Sequence, residues 1–237
     1  MKLIFIRHGD PDYVKDSLTE KGWREAELLS GRVKDWNVKE FYCSPLGRAK
    51  DTASLTLNKV GRKAVTYDWL QEFYYRVTDE QTGQERIAWD FMPNYFCSHD
   101  GLHNKDEWFK TAVMSSGDIE KHYSEVKQGI DGLLASYGYV RREDGVYAVK
   151  EHNDDNLVFF CHFGITALLT GYLTGIAAPA LWQGFFMAPT SITVLGSEER
   201  LPGEAAFRVQ VFGDYRHLIE GGEPVSASGY FTDIFEG

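Results

Sequence analysis

The sequence has few cysteines, no long apolar run and no leader-like start. Its three cysteines, Cys43, Cys97 and Cys161, are odd in number and widely spaced, so we expect reduced, small, buried side chains and no disulfide framework. No apolar run approaches the roughly 20 residues that a membrane helix requires. The first apolar stretch is interrupted by Arg7, too early for a signal peptide. These features predict a cytoplasmic protein with no membrane partner.

Positive charge is also scarce. Lysine and arginine total 25 against 35 aspartates and glutamates, which gives a formal net charge of -10. This balance argues against a nucleic-acid partner, because binding a phosphate backbone needs a basic face. It is compatible with a small anionic substrate, because charges are screened over about 8 Å at physiological salt and a few arginines in a cleft outweigh a distant acidic surface. The sequence does not indicate an oligomeric state.

Internal repeats, low-complexity tracts and interdomain linkers are absent from the sequence. A chain of 237 residues buries roughly 70 to 75% of the surface of its unfolded form, so we expect a single domain over residues 1–237. Residues 73–116 combine many aromatic side chains with no clean periodicity. We interpret this segment as an insertion or lid, folded because of its aromatic content, with most of its aromatic side chains in the core and a minority at a pocket mouth.

Alternating strand and helix patterns predict an α/β fold. Thr19 is a candidate N-cap for a helix. A short strand at residues 40–43 leads into Ser44 as N-cap and Pro45 as first helical residue, and Gly61 is the expected stop of that helix. The remaining predicted strands are residues 64–67, 146–149, 191–195 and 206–212, and the remaining predicted helices are residues 118–137, 165–173 and 178–185.

Two apolar strands each run directly into a histidine and a glycine. Residues 3–6 lead into Arg7-His8-Gly9, and residues 157–160 lead into a second turn that contains His162 and Gly164. Ligands of an open parallel sheet bind outside the carboxyl ends of its strands, so both histidines are expected at that edge. The first triplet alone is explained equally well by an ordinary arginine and a hydrogen-bonded histidine. We also expect Gly164 to bend the chain into a helix whose first amides point at the site.

Arg48 lies in the first turn of the helix predicted after Ser44. Helical side chains lean towards the helix amino terminus, so its guanidinium is expected at the same edge as Arg7. A planar donor fork beside a helix amino terminus suits a phosphate or a carboxylate. Arg48 alone is explained by a surface ion pair, but a structural histidine does not explain two imidazoles and two guanidiniums that converge from three strand ends.

These segments together resemble the histidine phosphatase superfamily, also called phosphoglycerate-mutase-like. The resemblance follows the family's order from residue 2 to about residue 218. The segments that carry it are Arg7-His8-Gly9, Leu18-Thr19-Glu20-Lys21-Gly22, Ser44-Pro45-Leu46-Gly47-Arg48-Ala49-Lys50-Asp51-Thr52-Ala53, Leu70-Gln71-Glu72 and His162-Phe163-Gly164. The expected architecture is a three-layer α/β/α domain with a mostly parallel central sheet, and with residues 73–116 over the carboxyl edge of the strands.

The resemblance implies a phosphatase that works through a covalent phosphohistidine without a cofactor or metal, on a small organic phosphate. His8 is then the nucleophile, and Glu72 protonates the leaving oxygen before it activates water. His162 binds and stabilises the transferred phosphoryl group. The residues expected to bind phosphate are Arg7, Gly9, Arg48 and Phe163.

Alternatives remain for the general acid and for the reaction. Asp10 and Asp12 lie near enough in sequence to compete with Glu72 as the general acid. Pro11 stands where the family often has a hydroxyl residue, and proline has neither a hydroxyl nor an amide hydrogen for a phosphate contact. A phosphoglycerate mutase uses the same intermediate, but residues 10–16 lack the serine-tryptophan-asparagine stretch of family mutases. A third hypothesis is a phosphate-binding protein without turnover.

Two further groups of polar residues have structural explanations. The segment from His99 to His103, with Asp106 or Glu107, is more simply a solvated loop than a metal site. His217 follows the last long strand, and we expect it to support the site or to pack.

Overall fold

The computed structural model describes residues 1–228, which form an α/β fold around a large mixed sheet. The strands are β1 (Lys2–Arg7), β2 (Pro11–Asp12), β3 (Ser17–Leu18), β4 (Glu40–Cys43), β5 (Val65–Thr66), β6 (Arg76–Thr78), β7 (Glu85–Ile87), β8 (Tyr139–Arg141), β9 (Tyr147–Val149), β10 (Asn156–Cys161), β11 (Ile192–Leu201) and β12 (Glu204–Asp214). The helices are α1 (Glu20–Val33), α2 (Gly47–Val60), α3 (Pro93–Ser98), α4 (Ala112–Ser115), α5 (Ile119–Ser136), α6 (Phe163–Thr174), α7 (Ala178–Gly184) and α8 (Arg216–Glu220).

The main sheet has eight strands in the order β5-β4-β10-β1-β11-β12-β9-β8. Strands β5, β4, β10 and β1 run parallel to their neighbours in that row, whereas β11, β12, β9 and β8 continue the sheet with antiparallel pairings. The expectation of a mostly parallel sheet is therefore correct for the half that carries the candidate site and wrong for the other half. The short connections from β8 to β9 and from β11 to β12 explain two of these antiparallel pairings, since hairpins join antiparallel strands.

Successive side chains of β1 enter two separate hydrophobic clusters, as expected for a strand buried on both faces. Leu3 and Phe5 belong to the larger cluster, which includes residues of α5, α6 and α7. Ile4 and Ile6 belong to the smaller cluster, which includes residues of α1 and α2. The centre of the sheet is thus fully covered, and the end of β1 is held in place from both faces.

The helix ends show where local sequence signals hold and where they fail. Thr19 caps α1, because its hydroxyl accepts a hydrogen bond from the Gly22 amide at 3.1 Å, and Gly61 ends α2 at a left-handed φ of 66°. The prediction for Ser44 was wrong, since α2 begins at Gly47 and the extended residue Leu46 occupies the cap position. A side chain at Gly47 would collide with the Asp16 carbonyl oxygen, so this close contact sets where the helix starts.

Residues 73–116 contain the β6–β7 hairpin and short helices, and many of their aromatic side chains are buried. Tyr95, Trp108 and Phe109 join the larger cluster, so these three rings belong to the core. Cys97, in contrast, is exposed, and the expectation of a buried thiol was wrong there because it lies on the outer side of the short helix α3. Cys43 and Cys161 are buried and free. Within residues 1–228, no helix is long and apolar enough to cross a membrane.

Candidate active site

His8 lies directly after β1, at the carboxyl edge shared with β10. The parallel register pairs Arg7 with Cys161, and the His8 amide continues the ladder by donating to the Cys161 carbonyl at 3.0 Å. The imidazole is buried, and its Nδ1 lies 2.7 Å from the Gly9 carbonyl oxygen. A carbonyl only accepts, so Nδ1 carries the proton and Nε2 keeps a free lone pair.

His162 follows β10 and faces His8, with 5.1 Å between the ring centroids. The side chain is fully buried, and its Nε2 lies 2.7 Å from Ser44 Oγ. Its Nδ1 is also buried and has no hydrogen-bond partner in the described part of the chain. One ring nitrogen is therefore tied to the protein, and the other is left for a ligand.

Two buried arginines complete the cluster. Arg7 donates through one terminal nitrogen to the Met187 carbonyl at 2.6 Å, and Arg48 donates to the Asp16 carboxylate at 2.6 Å. Each bond fixes one end of a guanidinium. The Nε atoms of both arginines are buried and lack an acceptor within residues 1–228, so each fork keeps a donor for an anion.

The electrostatics of the cluster keep both imidazoles neutral. Burial is the largest cause that lowers the pKa of His8 well below its ordinary value, and the charges of Arg7 and Arg48 add to the effect. Burial likewise lowers the pKa of His162, with further contributions from His8 and both arginines. At neutral pH, His8 is therefore an uncharged base with Nε2 free, in a pocket whose positive charge comes from the arginines.

Glu72 lies beside this cluster and caps α6. Its Oε1 accepts from the amides of Phe73 at 2.8 Å and Ile165 at 3.0 Å, and its Oε2 accepts from the Gly164 amide at 3.2 Å. Burial raises the pKa of the Glu72 carboxyl in spite of these donors and the nearby Arg7. The Gly164 and Ile165 amides at the start of α6 therefore donate to a carboxylate that is itself one of the predicted site residues.

The structure places the two alternative acids differently. The Asp10 carboxylate accepts hydrogen bonds from the Thr19 hydroxyl, at 2.7 Å, and from the Ser226 hydroxyl. Asp12 lies on the β2–β3 hairpin and forms an ion pair with Lys15 at 3.1 Å. Both carboxylates are committed to local contacts, whereas Glu72 lies against α6 close to His162.

The other two residues predicted to bind phosphate, Gly9 and Phe163, have distinct positions. The Gly9 amide donates to Thr52 Oγ1 at 3.0 Å, so it is already engaged. The Phe163 ring lies 6.0 Å from the Arg7 guanidinium carbon. Thr52 also donates to the Arg48 carbonyl at 2.8 Å, which links the end of β1 to the helix that carries Arg48.

Sequence reasoning missed four residues around the cluster: Ser44 as a partner of His162, Asp16, Thr52 and Trp89. Asp16 accepts from the Gly47 amide as well as from Arg48, both at 2.6 Å, and its φ of 48° is rare for a residue with a side chain. Thr52 lies four residues after Arg48, and this spacing on one helical face is the signal that was available. No local pattern identifies Asp16 or Trp89.

His217 is connected to the end of β1 through Thr190. Its Nε2 lies 3.0 Å from Thr190 Oγ1, and the Thr190 amide donates to the His8 carbonyl at 3.1 Å. Burial lowers the pKa of His217 to about 4. In the segment from His99 to His103, the two imidazoles lie against the carbonyls of Tyr95 and Phe96. Residues 1–228 contain no group of three or more side chains that could hold a metal ion.

Comparison with known proteins points to one family. Residues 3–107 match the model of the histidine phosphatase superfamily, branch 1. This part of the chain is therefore similar to the histidine phosphatase superfamily. The matched segment contains His8, Arg48 and Glu72, whereas His162 follows in the same order that the sequence motifs indicated.

Curated relatives and solved structures extend the comparison. A 73-residue stretch is 40% identical to a 2,3-bisphosphoglycerate-dependent phosphoglycerate mutase from Thermoplasma acidophilum, but it spans only 27% of this chain and 36% of that mutase. An adenosylcobalamin/alpha-ribazole phosphatase from Salmonella typhi is 21% identical over 77% of this chain and 84% of its own length. A mycobacterial glucosyl-3-phosphoglycerate phosphatase shares the fold, with a TM-score of 0.59 and 18% identity over 90% of this chain and 98% of that one.

Proposed function

We propose that the protein hydrolyses a phosphomonoester through a phosphohistidine on His8, without a metal or organic cofactor. The observation that carries this proposal is a set of buried atoms without a partner in residues 1–228 that belong to the residues of the His8 cluster, namely Nε of Arg7, Nε of Arg48 and Nδ1 of His162. Buried polar groups in folded proteins are nearly always paired. Three such groups on residues that neighbour one nucleophile suit the oxygens of a phosphoryl group.

The first half of the reaction transfers the phosphoryl group to the protein. His8 Nε2 attacks phosphorus, the ester oxygen leaves with its electron pair, and Glu72 gives that oxygen a proton. The arginines and His162 stabilise the charge on the phosphoryl oxygens, and an arginine in such a position can contribute on the order of 10³ in rate.

The second half returns the protein to its starting state. The Glu72 carboxylate takes a proton from water, the water oxygen attacks phosphorus, and the phosphorus–nitrogen bond to His8 breaks. The products are the alcohol and inorganic phosphate, and Glu72 is protonated again for the next cycle. The raised pKa of Glu72 suits a group that must hold a proton at one step and lose it at the next.

Rapid quenching with a radiolabelled aryl phosphate tests the intermediate directly. In the presence of a chelator, we expect label on histidine that is stable in base and labile in acid, and that forms and decays as fast as turnover. Label on serine, threonine or aspartate, or turnover that stops when the chelator is added, contradicts the proposal.

A phosphoglycerate mutase is the second candidate, favoured by the 40% identity of one segment to the Thermoplasma enzyme. The Asp10–Asp16 stretch of this chain and the match to a phosphatase over most of its length favour hydrolysis. The two reactions separate in one assay, because a mutase interconverts phosphoglycerates faster than it releases phosphate. Faster interconversion overturns the hydrolase assignment and leaves the intermediate intact.

The side chains at the cluster favour a planar or apolar leaving group. Tyr13 is 66% exposed and its ring lies 5.5 Å from the Arg48 guanidinium carbon. Trp89 contacts the Phe163 ring edge to face at 5.7 Å. These rings offer stacking surface beside both arginines, which a small sugar phosphate does not use.

Replacing Tyr13 tests this preference. Tyr13→Ala should raise KM for an aryl phosphate by about threefold to tenfold, the effect of one aromatic contact, and should leave KM for a small sugar phosphate nearly unchanged. Tyr13→Phe, which keeps the ring, is the matched control and should behave as the parent protein. Equal effects of Tyr13→Ala on both substrates contradict the preference.

A further inference from the structure

The hydroxyl of Ser44 and the ring of His162 form a buried pair with no solvent exposure. We propose that Ser44 is a positioning residue that holds the proton of His162 on Nδ1, and so makes His162 a hydrogen-bond donor to the phosphoryl group. This inference rests on the proposed function, because it assigns a role at the same site.

The Ser44 hydroxyl has three hydrogen-bonding positions to fill. Its oxygen accepts from the Leu46 amide at 3.2 Å, and it lies 2.7 Å from Nε2 of His162. The hydroxyl proton itself needs an acceptor, and within residues 1–228 the only one within hydrogen-bond distance is Nε2 of His162. The Ser44 backbone is fixed by its amide, which donates to the Phe160 carbonyl at 2.9 Å.

The opposite proton arrangement leaves two groups unsatisfied. If Nε2 of His162 carried the proton and donated to Ser44, the hydroxyl proton would have no acceptor, and the bare Nδ1 lone pair would face the anion that the arginines attract. An unsatisfied buried donor is destabilising, so one tautomer dominates. With the hydroxyl donating, both Ser44 and Nε2 are satisfied, and Nδ1–H is ready for an oxygen acceptor.

The charge state of His162 agrees with this arrangement. Burial and the neighbouring His8 and arginines lower the pKa of His162, so the ring is neutral and carries one ring proton. A neutral ring donates through one nitrogen only, which makes the tautomer decisive. Because Ser44 occupies Nε2, Nδ1 is the nitrogen left for a substrate, and it is one of the unpartnered buried atoms of the cluster.

Nitrogen NMR of the full-length protein reads the tautomer without any change to Ser44. With 15N-labelled histidine, and with the His162 signals assigned by their loss in His162→Gln, we expect Nδ1 to show the shift of a protonated ring nitrogen and Nε2 that of a bare one at neutral pH. A protonated Nε2 with a bare Nδ1, or an imidazolium, overturns the proposal. This measurement does not need hydrolytic activity. The tautomer assignment can therefore be confirmed or overturned independently of the proposed function.

Ser44→Ala tests the consequence for catalysis. We expect His162 to become a mixture of tautomers, and kcat/KM to fall by about tenfold to a hundredfold, as for residues that orient a functional imidazole. Ser30→Ala is the matched control, since Ser30 is equally buried and its hydroxyl donates only to the Glu27 carbonyl at 2.7 Å. It should leave both the tautomer and kcat/KM unchanged.

The two measurements separate positioning from general destabilisation. If Ser44→Ala lowers activity while His162 keeps its proton on Nδ1, the serine acts only through packing and the proposal is overturned. If Ser44→Ala misfolds, the tautomer measured in the parent protein still decides the question. If the parent protein shows the expected tautomer but no phosphohistidine forms, the proposed function fails and the hydrogen-bond assignment stands.

Discussion

His8→Ala should lower kcat for an aryl phosphate by roughly 10³-fold or more, because it removes the atom that forms the covalent bond and the reaction has no other nucleophile in place. The loss is expected in kcat and not in binding. Inorganic phosphate should still bind with similar affinity, since Arg7, Arg48 and His162 hold the oxygens and keep the donors that lack a partner in residues 1–228.

The readouts for His8→Ala distinguish chemistry from folding. Label from a radiolabelled substrate should no longer appear on histidine, while the midpoint of thermal unfolding stays within a few degrees of the parent value. His122→Ala is the control, because this histidine stacks on Tyr75 at 3.5 Å and is not part of the cluster. Retention of more than about a tenth of the activity in His8→Ala would show that His8 is not the nucleophile.

The placement of the candidate site could be predicted because it depends on strong local signals. The apolar runs that end at Arg7 and Cys161 are long enough to be recognised as buried strands, and parallel pairing then brings their carboxyl ends together. Arg48 follows from helix geometry alone. These arguments need no knowledge of distant contacts, so the convergence of His8, His162 and the arginines was accessible from the sequence.

Other features depend on tertiary contacts and were not accessible. The start of α2 is set by the approach of Asp16 to Gly47, two residues far apart in the sequence, so Ser44 looked like a cap and instead contacts His162. The strand β8 and the helix α8 span only three and five residues, too short for a periodic pattern. The antiparallel half of the sheet also depends on the pairings of β1 with β11 and of β9 with β12, which join strands far apart in the sequence.

The role of Glu72 is where geometry adds most to the sequence. A glutamate at a strand end is usually solvated, but this one is buried and accepts three backbone amides around the start of α6. Two of those bonds fall on Oε1, so Oε2 has the lone pair that remains for proton transfer. The same contacts that cap α6 therefore leave one oxygen of the carboxylate, Oε2, with a lone pair for proton transfer.

Glu72→Gln should lower kcat by about 10²- to 10⁴-fold, the usual effect of removing a general acid and base. The defect should depend on the leaving group. An aryl phosphate with a good leaving group needs little protonation, so phosphohistidine should accumulate because water is no longer activated. An alkyl phosphate needs the proton, so transfer to His8 should itself be slow.

The pH dependence of phosphoryl transfer tests the role of Glu72 as general acid independently. Because burial raises the pKa of Glu72, its acid form persists to higher pH than for an ordinary glutamate. Transfer from an alkyl phosphate should therefore be fastest below that raised pKa and should decline as the pH rises through it. The Gln variant cannot titrate at this position, so its rate of transfer should lack that decline.

A purely structural role for Glu72 predicts a different pattern. The Gln side chain has a single acceptor oxygen for three amides, so some destabilisation of α6 is expected, and the midpoint of thermal unfolding must be measured beside activity. Asp79→Asn is the matched control, since Asp79 is a buried carboxylate that accepts the amides of Gln81 and Thr82 in a turn of residues 73–116. If both variants lose similar stability but only Glu72→Gln accumulates phosphohistidine, proton transfer is the function that was removed. Equal losses with alkyl and aryl phosphates and no accumulation would assign Glu72 to capping alone.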